Sequence, residues 1–253
     1  MELLELALLL FAIALGAGCI DAMAGGGGLI TVPALLWAGL PPVQALATNK
    51  AQAVFGSFAA TARFLRAGAI DLRGARLAVG CTFAGSAAGA LAVQVLAGDL
   101  LAGLVPVLLI AFAVYFLFSP RVSDLDSRRR IGDGAFALTV GTGIGFYDGF
   151  FGPGTGTFFA MGYVALLGHN LRRATAHSKV LNFTSNLAAL LFFLPGGHIQ
   201  WAYAAVMALG QVVGAWIGSH LVLRHGASLV RPVLVVSSVL ISVKLLLEQI
   251  GGH

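Results

Sequence analysis

The chain has 253 residues, of which 10% are charged and 58% hydrophobic, against about 25% charged in an ordinary soluble domain. With a mean hydropathy of +0.93 there is too little polar surface to cover a water-soluble globule. The sequence therefore reads as an all-α integral membrane protein with lipid as its solvent, which excludes soluble enzymes, DNA-binding domains and disulfide-stapled secreted modules.

The net charge of +5 does not point to a nucleic-acid partner, because the 12 Arg lie in short loops, a pattern of membrane orientation. Met1-Glu2-Leu3-Leu4-Glu5 lacks the basic region and cleavage site of a secretory signal, so the first apolar stretch is expected to stay as a membrane segment. Apolar runs punctuated by Gly, Pro or Arg follow at 3–22, 29–40, 43–66, 75–97, 100–118, 134–150, 155–168, 173–195, 200–223 and 229–248. Cys19 and Cys81 lie inside such runs with no CxxC or Cys/His cluster, so neither a disulfide framework nor a zinc site is expected.

The first run ends at Asp21-Ala22-Met23-Ala24 and a break, Gly25-Gly26-Gly27-Gly28. The next run, 29–40, amounts to about 18 Å of helix, too short for a hydrocarbon core of about 30 Å. The third carries Thr48-Asn49-Lys50 about 10 Å from its start and leads to Arg63, Arg66, Arg73 and Arg76. The fourth contains Gly85-x-x-x-Gly89, a spacing that lets helices approach closely. Ser119 to Arg130 is the one stretch polar enough to be a linker. It divides the chain into an N-terminal transmembrane repeat (1–118), a cytoplasmic linker (119–133) and a C-terminal inverted transmembrane repeat (134–253).

The second half restates the first. Asp148-Gly149-Phe150-Phe151-Gly152-Pro153-Gly154-Thr155 follows Asp21 to Gly28 at an offset of 127, from 21 to 148. After a two-residue insertion the offset is 129, which sets His177-Ser178-Lys179 on Thr48-Asn49-Lys50, Gly197-His198-Ile199-Gln200 on Gly68-Ala69-Ile70-Asp71, and Gly214-x-x-x-Gly218 on Gly85-x-x-x-Gly89. The second break again precedes a short run, 155–168. Five segments per repeat is an odd number, so the repeats should lie in opposite orientations, and the arginines agree. Arg63 to Arg76 flank a connection whose counterpart, Pro195 to His198, has no Lys or Arg, whereas Arg172-Arg173 and Arg224 with Arg231 fall where the first half has none. The positive-inside rule then places the Arg-bearing loops in the cytoplasm and both termini outside.

Inverted repeats of apolar helices are the usual architecture of secondary transporters, with the substrate site where broken helices meet near the midplane. The short Gly-interrupted helices are either re-entrant or spanning. A glycine break that opens a half-helix offers free amides and the positive end of the helix dipole to an anion; the other reading of the glycines is close helix packing. No Gly-Lys-Ser/Thr follows either break, so no nucleotide loop and no cofactor is expected.

Two of the three lysines, Lys50 and Lys179, are repeat equivalents inside apolar segments. They supply charge to an anionic substrate, or snorkel to the headgroups. Asp21 and Asp148 are counter-charges, proton carriers or caps. The expected substrate site is Gly25, Gly26, Gly27, Gly28, Thr48, Asn49, Lys50, Gly152, Gly154, Thr155, Ser178, Lys179, Asn182 and Asn186. Asp21 and Asp148 would provide coupling or charge balance.

Asp21-Ala-Met-Ala-Gly-Gly-Gly-Gly-Leu-Ile-Thr-Val-Pro33, Ala45-Leu-Ala-Thr-Asn-Lys-Ala-Gln52, Gly145-Phe-Tyr-Asp-Gly-Phe-Phe-Gly-Pro153 and Ala174-Thr-Ala-His-Ser-Lys179 resemble the TauE/SafE, or sulfite-exporter-like, family of bacterial membrane proteins, and within it the YfcA-like subgroup. The resemblance covers nearly the whole chain and both repeats. It implies a multi-pass inner-membrane protein moving a small sulfur-containing anion such as sulfite, sulfoacetate or another organosulfonate, without ATP. The expected partners are that anion, the lipid bilayer, a coupled proton and a second copy of the chain in a homo-oligomer. A passive anion channel and a non-transporting scaffold subunit are the alternative functions.

Overall fold

A computed structural model of the chain describes residues 3–72, 74–96 and 128–225, with Leu100, Leu101, Gly103, Leu104 and Val107. The remainder of segment 100–118, segment 229–248, Arg73, Asp99, Arg231 and linker residues 119–127 lie outside the described residues. Every regular element among the described residues is helical, as the composition requires. They are α1 (Leu3–Ala24), α2 (Gly28–Trp37), α3 (Pro42–Arg66), α4 (Arg76–Gln94), α5 (Asp133–Phe136), a π turn (Ala137–Gly141) leading into α6 (Thr142–Phe150), α7 (Thr155–Leu167), α8 (Leu171–Phe193), a 3₁₀ turn (Leu194–Gly196) and α9 (Trp201–His225).

Among these, Leu4–Ala24, Arg76–Gln94 and Trp201–His225 are long and apolar enough to cross a bilayer. α3 and α8 are comparably long, 25 and 23 residues. They are less apolar because they carry Thr48, Asn49, Lys50 and Gln52, and His177, Ser178, Lys179, Asn182, Ser185 and Asn186, all of which are buried. Polar side chains at membrane depth are tolerated when they face protein. α2 and α7 have 10 and 13 residues, about 15 and 20 Å, so each covers only part of a bilayer core.

The ends of these helices follow from local chemistry. Pro42 occupies the first turn of α3, where a missing N–H costs nothing. α3 stops at Gly68, which takes a φ of +67° and lets the Ala69 amide donate to the Phe64 carbonyl at 3.0 Å. Asn170 caps α8 by accepting from the Arg173 amide at 2.9 Å.

Lipid does not drive apolar helices together, so close backbone approach and polar bonds hold the bundle. A Cβ on Gly85 would lie 3.0 Å from the Phe146 amide, and one on Gly89 2.7 Å from that of Phe150, which seats α4 on α6. A Cβ on Gly210 would lie 3.0 Å from the Leu15 amide, and one on Gly214 2.8 Å from that of Cys19, which seats α9 on α1. In each seam the contacts advance in the same order on both helices, so each pair runs parallel. The repeat-equivalent helices α3 and α8 run antiparallel: Thr61 donates to the Lys179 carbonyl at 2.9 Å, and the Phe58 ring lies 5.5 Å from that of Phe183. Large apolar side chains such as Leu8, Phe55, Leu138 and Leu209 are exposed on the outer surface, where lipid would cover them.

Candidate functional site

The glycine breaks bring the two halves together. Gly25 ends α1 with a φ of +84° as its amide donates to the Asp21 carbonyl at 2.8 Å, and Gly152 follows α6 with a φ of +99°. A Cβ on Gly25 would lie 2.6 Å from Gly156 Cα, and one on Gly28 3.1 Å from Pro153 Cα. At Gly25 only glycine permits both the left-handed backbone and this approach. α2 and α7 therefore begin beside one another, with the Leu29, Ile30 and Thr31 amides donating back to the Gly26 and Gly27 carbonyls, and those of Thr155, Thr157 and Phe158 to the Gly152 and Gly154 carbonyls.

Two ion pairs lie at this junction, each joining one half to the other. Lys50 Nζ donates to Asp148 Oδ1 at 2.6 Å, with side chains only 1% and 2% exposed. Asp148 Oδ1 also accepts from Thr155 Oγ1 at 2.8 Å, and its Oδ2 accepts from Ser185. This shielded carboxylate accepts from three side chains, two on Oδ1 and one on Oδ2. The second pair is looser. Lys179 Nζ stands 3.5 Å from Asp21 Oδ2 and donates to the Asp21 backbone carbonyl, while the Asp21 side chain is 18% exposed. Asp21 also accepts from the Gly27 amide and from Asn182 Nδ2, each at 3.2 Å. The two pairs thus differ in exposure and in bond length.

Between them is a cavity of about 20 Å³, room for about one water. Of the expected site residues, Asp21, Gly25, Gly27, Gly28, Asn49, Lys50, Asp148, Gly152, Asn182 and Asn186 line it. Lys179 and Thr155 act on it through Asp21 and Asp148. The others stand apart. Gly26 accepts from the Leu29 amide in the first turn of α2. Gly154 precedes α7 with a φ of +85°. Ser178 Oγ donates to the Thr175 carbonyl at 2.8 Å, and Thr48 Oγ1 accepts from the Gln200 amide at 3.0 Å. His177, the equivalent of Thr48, makes the matching contact, accepting at Nε2 from the amide of Asp71, the equivalent of Gln200, at 3.2 Å.

Sequence reasoning missed three cavity residues, Gln52, Ala53 and Gln211. Gln52 Nε2 donates to Asn49 Oδ1 at 2.8 Å, which also accepts from Thr31 Oγ1 at 2.6 Å, and Gln52 Oε1 is buried with no partner. The signal was present: Asn49, Gln52 and Ala53 are spaced i, i+3, i+4 and share a helix face. Gln211 shares no such spacing with a second polar residue of the site. Its side chain passes between Gly18 and Gly56, where added Cβ atoms would lie 2.9 and 2.5 Å from its Oε1.

The family model of the sulfite exporter TauE/SafE matches residues 10–245. "Probable membrane transporter protein YfcA" of Escherichia coli strain K12 is 48% identical over 242 residues, covering 96% of this chain and 90% of the relative. A "Probable membrane transporter protein" of Haemophilus influenzae is 44% identical over 250 residues, 99% of this chain and 98% of the relative. "Probable membrane transporter protein ORF9" of a Sinorhizobium species is 45% identical over 239 residues, 94% and 92% of the two chains. No solved structure matches. With its membrane-crossing helices and buried ion pairs, the chain belongs to the sulfite exporter TauE/SafE family, a family of membrane transporters and not of enzymes, and is a multi-pass protein of the bacterial inner membrane.

Proposed function

We propose that the chain is a secondary transporter of a small sulfur-containing anion (sulfite, sulfoacetate or another organosulfonate), working by alternating access between two inverted repeats. The observation that carries this reading is the pair of cross-linked charges, Lys50 with Asp148 and Lys179 with Asp21, at the meeting of the two glycine breaks. The family description supports the sulfur chemistry. Antiparallel α3 and α8, and parallel seams at equivalent positions, support the inverted arrangement.

The mechanism follows from charge balance. While both pairs are closed the cavity is too small for an oxyanion, so an anion takes its place as a lysine parts from its carboxylate. Net charge is costly inside the bilayer, so a positive charge, here a proton, enters with the anion. One proton then accompanies one anionic charge, and the loaded site stays neutral during its passage between the two faces. The exchange starts at Asp21 and Lys179, because that pair is longer and its carboxylate reaches solvent. The Gly28 amide and the side chains of Asn49, Asn182 and Asn186 hydrogen-bond the oxyanion. Rocking of one repeat against the other exposes the site alternately.

Counterflow of labelled sulfite or sulfonate in proteoliposomes tests this reading. Saturable, electrically silent exchange that is lost in Lys50→Ala and Lys179→Ala is expected. Conductive, non-saturating flux would identify a passive channel, and exchange unaffected by both substitutions would remove the lysines from the site.

A further inference from the structure

Away from the central site, α3 and α9 leave between them an outward-facing groove of about 610 Å³. Its walls are apolar: Phe55, Phe58 and Trp216 are 49%, 56% and 57% exposed, with Val212 beside them. Its far end is basic, formed by Arg63 and Arg66 in the last turn of α3. Arg63 is held in place. Its Nη2 donates to His220 Nδ1 at 2.7 Å, and its guanidinium carbon lies 4.7 Å from the centre of the Trp216 ring. Among the described residues neither arginine has a carboxylate partner, the groove lining includes no Asp or Glu, and the Arg63 Nε is buried without an acceptor.

We infer that this groove is a binding site for an anionic phospholipid, with its phosphate on Arg63 and Arg66 and one acyl chain along Phe55, Phe58, Val212 and Trp216. The dimensions match. From Phe55 to Arg66 α3 rises about 16 Å, close to half of a hydrocarbon core of about 30 Å, so the apolar track is one leaflet deep and the arginines stand at headgroup level. The charges match too: the arginine-bearing loop that follows α3 is the one the positive-inside rule assigns to the cytoplasm, the side on which basic pockets between helices take anionic headgroups. The exposed Arg66 head supplies a charge-assisted donor to a phosphate oxygen. Because α3 and α9 belong to different halves, a lipid seated here bridges them.

The test uses the full chain with Trp37→Phe and Trp201→Phe, which leaves Trp216 as the sole tryptophan. This protein is reconstituted in phosphatidylcholine vesicles containing graded amounts of acyl-brominated phosphatidylglycerol or, in parallel, acyl-brominated phosphatidylcholine. Brominated phosphatidylglycerol should quench Trp216 at lower mole fraction, with a preference over phosphatidylcholine of roughly fivefold per arginine. Arg66→Ala should remove part of that preference, and Arg63→Ala with Arg66→Ala all of it. Arg66 is exposed at a helix end, so its single variant keeps the fold and the test stands even if the double variant does not. Equal quenching by the two lipids, a preference unchanged in Arg66→Ala, or no quenching by either lipid because another part of the chain fills the groove would each overturn the site.

Discussion

Lys50 and Asp148 lie 98 positions apart in the chain and 2.6 Å apart in space, each almost wholly shielded from solvent. Removing one partner of such a pair strands the other charge, at a cost of about 3–5 kcal/mol. Lys50→Ala should therefore lower the melting temperature of the purified protein more than Lys179→Ala, whose partner Asp21 keeps its bonds to Gly27 and Asn182 and reaches solvent. The double change Lys50→Met with Asp148→Leu should recover much of the loss. A larger effect from Lys179→Ala would reverse the ranking of the two pairs.

Gly152 is confined twice, by its φ of +99° and by a Cβ position only 2.5 Å from Lys50 Nζ and 2.9 Å from Asp148 Oδ1. Gly39 has a similar φ of +90° and nothing within 4 Å of its Cβ position. Gly39→Ala should cost the backbone strain alone, about 1–2 kcal/mol. Gly152→Ala should cost more and also separate the ion pair. Melting curves of the two variants compare them directly; equal losses would show that Gly152 serves backbone conformation only.

Scarcity is what marks the candidate site in the sequence. In a chain with 10% charge, Asp21, Lys50, Asp148 and Lys179 stood out because no loop accounts for them, and the glycine breaks beside Asp21 and Asp148 were legible because they recur. The crosswise pairing was not legible, since periodicity places residues on a helix face and says nothing about which helix that face meets. Thr48 and Ser178 show the same limit. Both precede a buried lysine, yet one accepts from the Gln200 amide and the other bonds its own helix. Gln211 lay outside any pattern, because its place depends on glycines in α1 and α3 that only packing brings to it.

The buried, partnerless Gln52 Oε1 at the cavity is an acceptor that a ligand O–H or N–H can satisfy. Gln52→Leu should leave stability unchanged or slightly raised. It should weaken binding of an anion that carries such a donor by roughly three- to tenfold, with little effect on an anion that carries none. Isothermal titration of hydrogen sulfite and of methanesulfonate against both proteins checks this; equal losses for the two anions would mean that Gln52 only shapes the cavity.

The α1 and α9 seam makes a steric prediction. A Cβ on Gly214 would lie 2.8 Å from the Cys19 amide, whereas one on Gly16 meets nothing within 4 Å. Gly214→Val should force the helices apart and destabilise the protein by at least about 2 kcal/mol. Gly16→Ala should be neutral or stabilising by up to about 1 kcal/mol. Thermal unfolding in detergent separates the two, and a tolerated Gly214→Val would show that the seam is not held by backbone approach.

In the proposed cycle an anion exchanges for a carboxylate at a buried lysine and brings a proton with it. Simultaneous recording of labelled methanesulfonate influx, luminal pH and membrane current in proteoliposomes tests it most directly, because a sulfonate stays ionised over the pH range used and carries no proton of its own. Influx should acidify the lumen by about one proton per sulfonate, draw no net current, and fail in Lys179→Ala, while Asp21→Asn should uncouple proton from anion. Influx that carries current without acidification, or that persists unchanged in Lys179→Ala, would rule out this proton-coupled exchange.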